Sequence, residues 1–426
     1  MRLLTALLTA GIWLTASWAS QAADLTVWGL QTFNTQADQW LAQEAKDFGK
    51  AHNIDVEYDV VPANVLNQRL AAAFEAHTPP DVFMQTDGSI QYYISRGLTI
   101  PLDDVLADMR KVPGGIYENL TKAGEYNGTH QSLPLEVDVS PIFARKDLLD
   151  EIHQPLPQTW EDLRQDGILI QKKHPYISGF GMPVSNTNDA EGNLRSIIWS
   201  FGGKVMAPDG KTVVFDSPET RAAYQFVADM FLTDKIIPHS ALTWDDAGNN
   251  VAYQTGRAVF VLNPPSIYQY LRDHDKKLLA ATVMISVPKG PAPNGINGNG
   301  VGSWQWAVAK DSKHPDLAKA YLRYFYDPAH YAAAIQEVGG RWVPIYPEMM
   351  KTVPVFANDL ATKDFGKMAA TGILDGYAGP PDVLSGKVWQ ANILTKTLQK
   401  IILDHQPVAQ AVAWGQQQIE ALAKGS

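Results

Sequence analysis

Carboxylates and flat aromatic rings are the residues of this chain best placed to do chemistry. Glu136 and Asp138 stand two apart in an extended stretch, so their side chains point the same way and could bracket neighbouring hydroxyls. Trp304 and Trp306 flank Gln305 just after a loop rich in Gly, Pro and Asn. Carboxylates and amides pair with hydroxyl groups, and ring faces pack on C–H surfaces. A glycoside hydrolase would use the same surfaces plus two carboxylates about 5 to 10 Å apart. Asp87 and Glu136 could supply such a pair, yet no sequence signal selects them. The chain has no GxSxG elbow, no GxxxxGK[ST] loop and no HExxH. Gly298 to Gly302 touches a GxG pattern but precedes a strand, which argues against a dinucleotide site. The ten histidines show no metal-ligand spacing, so neither a catalytic residue, a metal nor a cofactor is expected.

Composition narrows the field further. The chain has 426 residues, 35 Lys plus Arg and 45 Asp plus Glu, for a formal charge of −10. That balance, without a long basic run, argues against nucleic acid as a partner. Cysteine is absent, which excludes disulfides, thiolate metal sites, Cys nucleophiles and an anchor on a lipidated cysteine. Twelve Trp suggest flat apolar surfaces put to use.

The elements that must position these groups alternate. Met1-Arg2, the apolar run Leu3 to Trp18 and the small residues Ser20 to Ala23 have the layout of a secretory signal peptide over residues 1–23. About 16 apolar residues are short for a membrane span of roughly 20. After cleavage a periplasmic home is expected. Residues 24–29 then read as a strand, 35–51 as a helix with Ala37, Trp40, Leu41, Ala45 and Phe48 on one face, 55–61 as a strand, 64–77 as a helix and 81–85 as a strand. Asp87 is expected to cap a short helix through Ser95. Thr159 with Asp162 makes a shortened capping box, residues 205–216 a hairpin, and Ser217-Pro218 the start of a helix to about Thr233. Strands are expected at 257–262 and 281–287, a loop at 288–303 and a helix at 313–326. This is the pattern of an α/β protein with mostly parallel strands.

The ordered segments FGKAHNIDVEYDVVP (Phe48 to Pro62), LNQRLAAAFEAHTPPDVFM (Leu66 to Met84), SRGLTIPLDDVL (Ser95 to Leu106) and LPLEVD (Leu133 to Asp138) carry a resemblance. So do RKDLLDE, LPQTWEDL, FGGKVMAPDGKTVVFDSPETRAAYQFVADM (Phe201 to Met230), YQTGRAVFVLN, VAKDSKHPDLAKAYLRYF (Val308 to Phe325) and VGGRWVP (Val338 to Pro344). Together, over about 320 residues, they resemble the extracellular solute-binding proteins of bacterial ABC importers, in the sugar-binding group that includes maltose-binding proteins. Two stretches depart from that pattern: Ala144-Arg145, where many members carry an aromatic-Asn pair, and Tyr377 to Pro381, where several carry an Arg before a Pro. The resemblance implies two α/β lobes, a type II-like periplasmic binding fold, with the ligand in the cleft between them. The division expected is 24–137 with 289–326 for the first lobe, and 138–288 with 327–426 for the second. Carbohydrate as ligand, the transmembrane permease subunits as partner and a monomeric state are implied as well.

Ligand contacts are then expected in loops at strand ends facing the cleft. Gln31, Phe33 and Asn34 follow the first strand, where their plainer role is to lead into the next helix. Asp87, Asp138 and Asn263 are acids and an amide at strand ends; each also suits a cap, a solvated edge or a turn. Trp199 sits among Ile197 and Ile198, so core packing competes, whereas Trp244 lacks periodic apolar neighbours. Gly302 and Trp304 close the glycine loop, and Trp304 resembles the family's cleft aromatic. Arg341 follows a Gly-Gly pair and could bind a sugar oxygen or an anionic substituent, and Tyr377 lies in a Gly-Pro loop. An anionic carbohydrate (sugar acid, sulfonate or glycerol phosphate), read by Arg341 and the glycine-loop amides, is the alternative ligand, with a secreted hydrolase further behind.

Overall fold

The computed structural model describes residues 23–424, apart from 33, 294, 295, 297–299, 360, 361 and 363. The expected signal segment, but for Ala23, and Phe33 therefore lie outside the described residues.

The strand Leu25–Leu30 is apolar and almost wholly buried, as a central parallel strand must be. It pairs in parallel with Val56–Val61 on one side and with Val82–Thr86 on the other. The helices Thr35–His52 and Ala63–Glu75 make the two crossovers, so the alternating strands and helices at the start of the chain form two βαβ units. Asn34 caps the first of them, its side chain accepting from the Gln36 and Ala37 amides, and Asn53 ends it in the left-handed conformation. Trp304–Val308 and Leu133–Pro134 add antiparallel, completing a five-stranded sheet. A second sheet of four strands runs Thr282–Ile285, Ile142–Arg145, Ala258–Leu262 and Ser178–Phe180. Two of its three pairings are antiparallel, so the expectation of mostly parallel strands fails there.

Each sheet organises its own apolar core. The first gathers Leu25, Phe48, Phe83 and Trp306; the second gathers Ile142, Phe180, Tyr224 and Phe260. The expected division of the chain needs one correction. Residues 331–369, assigned by sequence to the second lobe, pack in the first core through Tyr331, Ile335, Trp342, Tyr346, Phe356 and Phe365. The helix Pro328–Val338 follows Pro315–Tyr326 after a break at Asp327 and stays on the same body, because Tyr331 donates to the Leu135 carbonyl and receives the Ile345 amide. Only from about Leu384 onward does the chain join the second core, through Val388, Leu394, Leu398 and Ile419.

Local signals are mostly obeyed. The box at Thr159 and Asp162 closes in both directions despite the shorter acid. Ser217 caps Pro218–Leu232. The stretch 205–216 makes a narrow hairpin held by a Met206–Val213 bridge. Thr86, not Asp87, caps Asp87–Ser95, its side-chain oxygen accepting the Ser89 amide at 3.2 Å. That frees the Asp87 carboxylate for another use.

The two bodies touch where the helix Val383–Gln390 crosses Asp87–Ser95. A Cβ on Gly386 would lie 1.7 Å from the Gly88 carbonyl oxygen, so glycine is required there, and Gln390 Nε2 donates to Ser89 Oγ at 3.0 Å beside it. Gly386→Ala forces this crossing apart. Overpacking of this kind costs about 1–3 kcal/mol, and thermal unfolding followed by circular dichroism should show Tm several degrees lower. An unchanged Tm would mean that the helices separate freely.

Candidate ligand-binding cleft

A cavity of about 730 Å³ opens between the two bodies. Its first wall is built at the carboxyl ends of the central strands: Asn34 to Gln36 after Leu25–Leu30, and Thr86 to Gly88 after Val82–Thr86. This is where ligands sit in open α/β sheets, because side chains there are released from the ladder and helix N-termini point inward. Asp138 enters through Asp138–Val139, paired antiparallel with Val301–Gly302. Trp304, opposite Thr86 in register, opens the adjoining strand and is half-buried at the cavity edge, whereas Trp306, two residues on and on the same face, is packed edge-on against Tyr321 and Phe325 in the core. Strand position, not residue type, separates the two tryptophans.

Arg341 reaches the same wall because Gly339 ends Pro328–Val338 in the left-handed conformation and Gly340 follows with a positive φ. A Cβ on either would meet Arg272 or Tyr268 under 3 Å away, at 2.5 and 2.8 Å, so the Gly-Gly pair is needed for the close approach as well as the turn.

The second wall comes from the helix Asn188–Ser200 and from the loop after Ala258–Leu262. Asn188, Gly192, Arg195, Ser196 and Trp199 line the cavity along one stripe of that helix. Trp199 is also nearly buried and meets Tyr377 edge-on at 6.1 Å, so it serves core and cavity together. Arg195 is held by Glu191 at 3.1 Å and by Asp375 at 3.4 Å, with its guanidinium 4.2 Å over the Trp389 ring. Beneath them Asn249 donates to Asp189 at 2.8 Å and to Asn263 at 2.7 Å, and Asn263 donates to Ser266.

The residues expected at the site thus divide. Asn34, Asp87, Asp138, Trp199, Asn263, Gly302, Trp304 and Arg341 all line the cavity. Asn263 is committed to the polar floor and Asn34 also caps its helix. Gln31, Trp244 and Tyr377 do not line it. The Gln31 main-chain N–H continues the ladder to the Val61 carbonyl; the Trp244 ring packs in the second body, and the Trp244 carbonyl accepts the Ser185 hydroxyl; Tyr377 backs Trp199 from behind. Asp189, Arg195, Asp246, Asn250, Tyr270, Asp375 and Trp389 are cavity residues that the sequence reading missed. A signal existed for Arg195, which lies one helical turn before Trp199. None existed for Trp389, about 190 residues further along the chain.

Electrostatically the cavity is acidic. Asp87, Asp138, Asp189, Asp246, Asp273 and Asp375 line it against Arg195 and Arg341, and among the described residues no lysine does. Burial raises the Asp138 carboxyl to about 6 even though Arg341 pulls it down. Burial, reinforced by the Asp246 charge, raises Asp189 to about 8 against the opposing Asn249 hydrogen bond. Asp87, Glu136, Asp246 and Asp375 are raised as well, in each case first by burial. A carboxyl with a raised folded pKa contributes stability that is intact below its unfolded pKa of about 3.9 and is lost as pH rises through the folded value. For Asp189 the loss runs from about pH 4 to pH 8. The unliganded protein should therefore melt lower at pH 8 than at pH 5, and Asp189→Asn should narrow that gap. Equal gaps in the two proteins would show that the Asp189 charge is compensated.

Two α/β bodies facing each other across a cavity floored by amides and carboxylates and walled by tryptophans define a two-lobed binding protein. The chain belongs to the bacterial extracellular solute-binding protein family, whose sequence profile matches residues 33–332. It is 24% identical over 310 residues to the diacetylchitobiose binding protein DasA of Streptomyces coelicolor, covering 70% of this chain and 68% of that one. Against the maltotriose-binding protein of Pyrococcus abyssi it is 22% identical over 369 residues, 84% of this chain and 72% of the relative. Among solved structures it superposes on maltose-bound MalE3 of T. maritima with TM-score 0.79 at 18% identity, covering 93% of this chain and 99% of that chain. A laminaribiose-bound sugar transporter of Arthrobacter chlorophenolicus A6 gives TM-score 0.80 at 15% identity, with 93% and 98% covered.

Proposed function

We propose that the protein is the substrate-binding component of an ABC importer, capturing a sugar between its lobes in the periplasm and delivering it as a monomer to the membrane permease. The observation that carries this reading is the cavity itself. Trp304 stands on one wall and Trp199 and Trp389 on the other, with carboxylates and amides between them. Its volume of about 730 Å³ falls within the range of about 300 to 1,000 Å³ common for small-molecule sites. Aromatic faces suit the C–H surfaces of pyranose rings, and the acids suit hydroxyl donors. The names of the relatives, maltotriose- and diacetylchitobiose-binding among them, support the same ligand class. No helix among the described residues is long and apolar enough to cross a membrane.

An anionic carbohydrate is disfavoured by the charge of the cavity. The Arg341 charge already acts on Glu136, Asp138 and Asp189, and Arg195 is engaged by Glu191 and Asp375, so an added carboxylate or phosphate would meet a surplus of acids.

A thermal-shift screen over neutral sugars, polyols and charged sugars tests the reading, because a ligand of the folded state raises Tm by mass action. At least one neutral sugar should raise Tm and be recovered intact after long incubation; release of monosaccharide would make the protein a hydrolase instead. Trp304→Ala should weaken that sugar at least about tenfold in calorimetric titration, equivalent to about 1.4 kcal/mol. An unchanged affinity would remove Trp304 from the contact surface.

A further inference from the structure

The acids of the cavity are not spread evenly, and their arrangement bears on which sugar fits. Asp87 is 7% exposed. Its Oδ1 accepts the Gly88 amide at 2.8 Å, while its buried Oδ2 has no hydrogen-bond partner among the described residues. The carboxylate lies over Gly302, where a Cβ would sit 3.4 Å from Oδ2, and Gly302 is paired across the short antiparallel ladder with Asp138. On the other side, Asp375 Oδ2 is 3.2 Å from the position a Cβ on Gly88 would take. The Asp375 and Asp138 charges therefore both act on Asp87, in the space beside Gly88 and Gly302.

Positive charge around them is short. Arg195 faces Asp375 but is shared with Glu191. Arg341 acts on Asp138 and is shared with Glu136 and Asp189. Among the described residues, the charges that act most on Asp87 are those of Asp375 and Asp138, beside the Gly88 and Ser303 backbone.

We propose that the sugar captured here carries a protonated amino group, seated among Asp87, Asp138 and Asp375. This rests on the carbohydrate-binding reading above and narrows its ligand class. An ammonium brings three N–H donors and the positive charge that this set of acids lacks. A hydroxyl brings one donor and no charge; an acidic substituent brings repulsion. Burial raises all three carboxyls, so an ammonium seated among them favours their ionised form and its binding is linked to proton release.

The test is calorimetric titration of the mature chain at about pH 6 with the β-1,4 disaccharide of glucosamine, its N,N′-diacetyl form, cellobiose and maltose. The free diamine should bind at least tenfold tighter than any of the three neutral sugars. Its heat should vary with buffer ionisation enthalpy in the sense of proton release, and its affinity should fall at least tenfold at about pH 4.5. Asp87→Asn should cut diamine affinity at least tenfold and shrink its margin over cellobiose, and Asp375→Asn provides the same readout where the first variant folds poorly. A neutral sugar binding as tightly as the diamine, or diamine binding without proton release, overturns the amino-sugar proposal and leaves the carbohydrate reading standing. Absence of binding by all four sugars, with no hit in the wider screen, overturns both.

Discussion

Burial of more acidic than basic side chains is the constraint around which this molecule is arranged. Carboxylates taken out of water need partners, and several kcal/mol per ion is the usual penalty when partners are lacking. Here two buried arginines serve Glu136, Asp138, Asp189, Glu191 and Asp375, while among the described residues Asp87 accepts the Gly88 amide through Oδ1 and leaves Oδ2 without a hydrogen bond. Such a cluster persists because each lobe closes an independent apolar core, whose combined stability offsets the cost of burying these acids. A ligand that brings N–H or O–H donors supplies the partners these acids lack.

Backbone proximity makes that arrangement possible. Gly88 and Gly386 let a helix of the second lobe press on the N-terminus of the helix that begins at Asp87. Gly302 keeps the Asp87 carboxylate over open space, and the Gly339-Gly340 pair turns the chain so that Arg341 reaches the cavity. The Val301 amide donates to Ile373 at 2.9 Å beside the same junction. Cleft and inter-lobe contact are thus made by one set of segments, so ligand contacts and the relative placement of the lobes share the same residues.

The two departures from the family pattern fall in different places. Arg145 forms a two-point pair with Asp147 at 2.7 and 2.8 Å, away from the cavity, so its neighbourhood shapes the second lobe and not the ligand surface. The Tyr377 to Pro381 loop lies behind Trp199 and beside the 207–210 turn, with Asp375 just before it reaching the cavity. Asp375, two residues before this loop, adds an acid to the cavity, in keeping with the acidity of the cleft.

Much of this was written in local sequence. Alternating strands and helices, the caps at Asn34, Thr159 and Ser217, and the order of family segments set the α/β class and the position of most elements, because those depend on neighbours three or four residues away. The same local rules placed Asn34, Asp87 and Asp138 at strand ends, where a cleft residue should be, and the family resemblance pointed to Trp304. They failed where the answer depended on distant packing. Residues 331–369 joined the first lobe because Tyr331 and Tyr346 fit between its strands and helices, which no periodicity announces. Trp244, without apolar neighbours in sequence, acquired them in space. Trp389, Asp189 and Asp375 became cavity residues only when chain segments far apart were brought to one junction. The sequence by itself determined which side chains were available to hold a sugar; tertiary structure alone decided which carboxylates would be buried together without enough charge to balance them, since desolvation is a property of the packed neighbourhood and not of the residue.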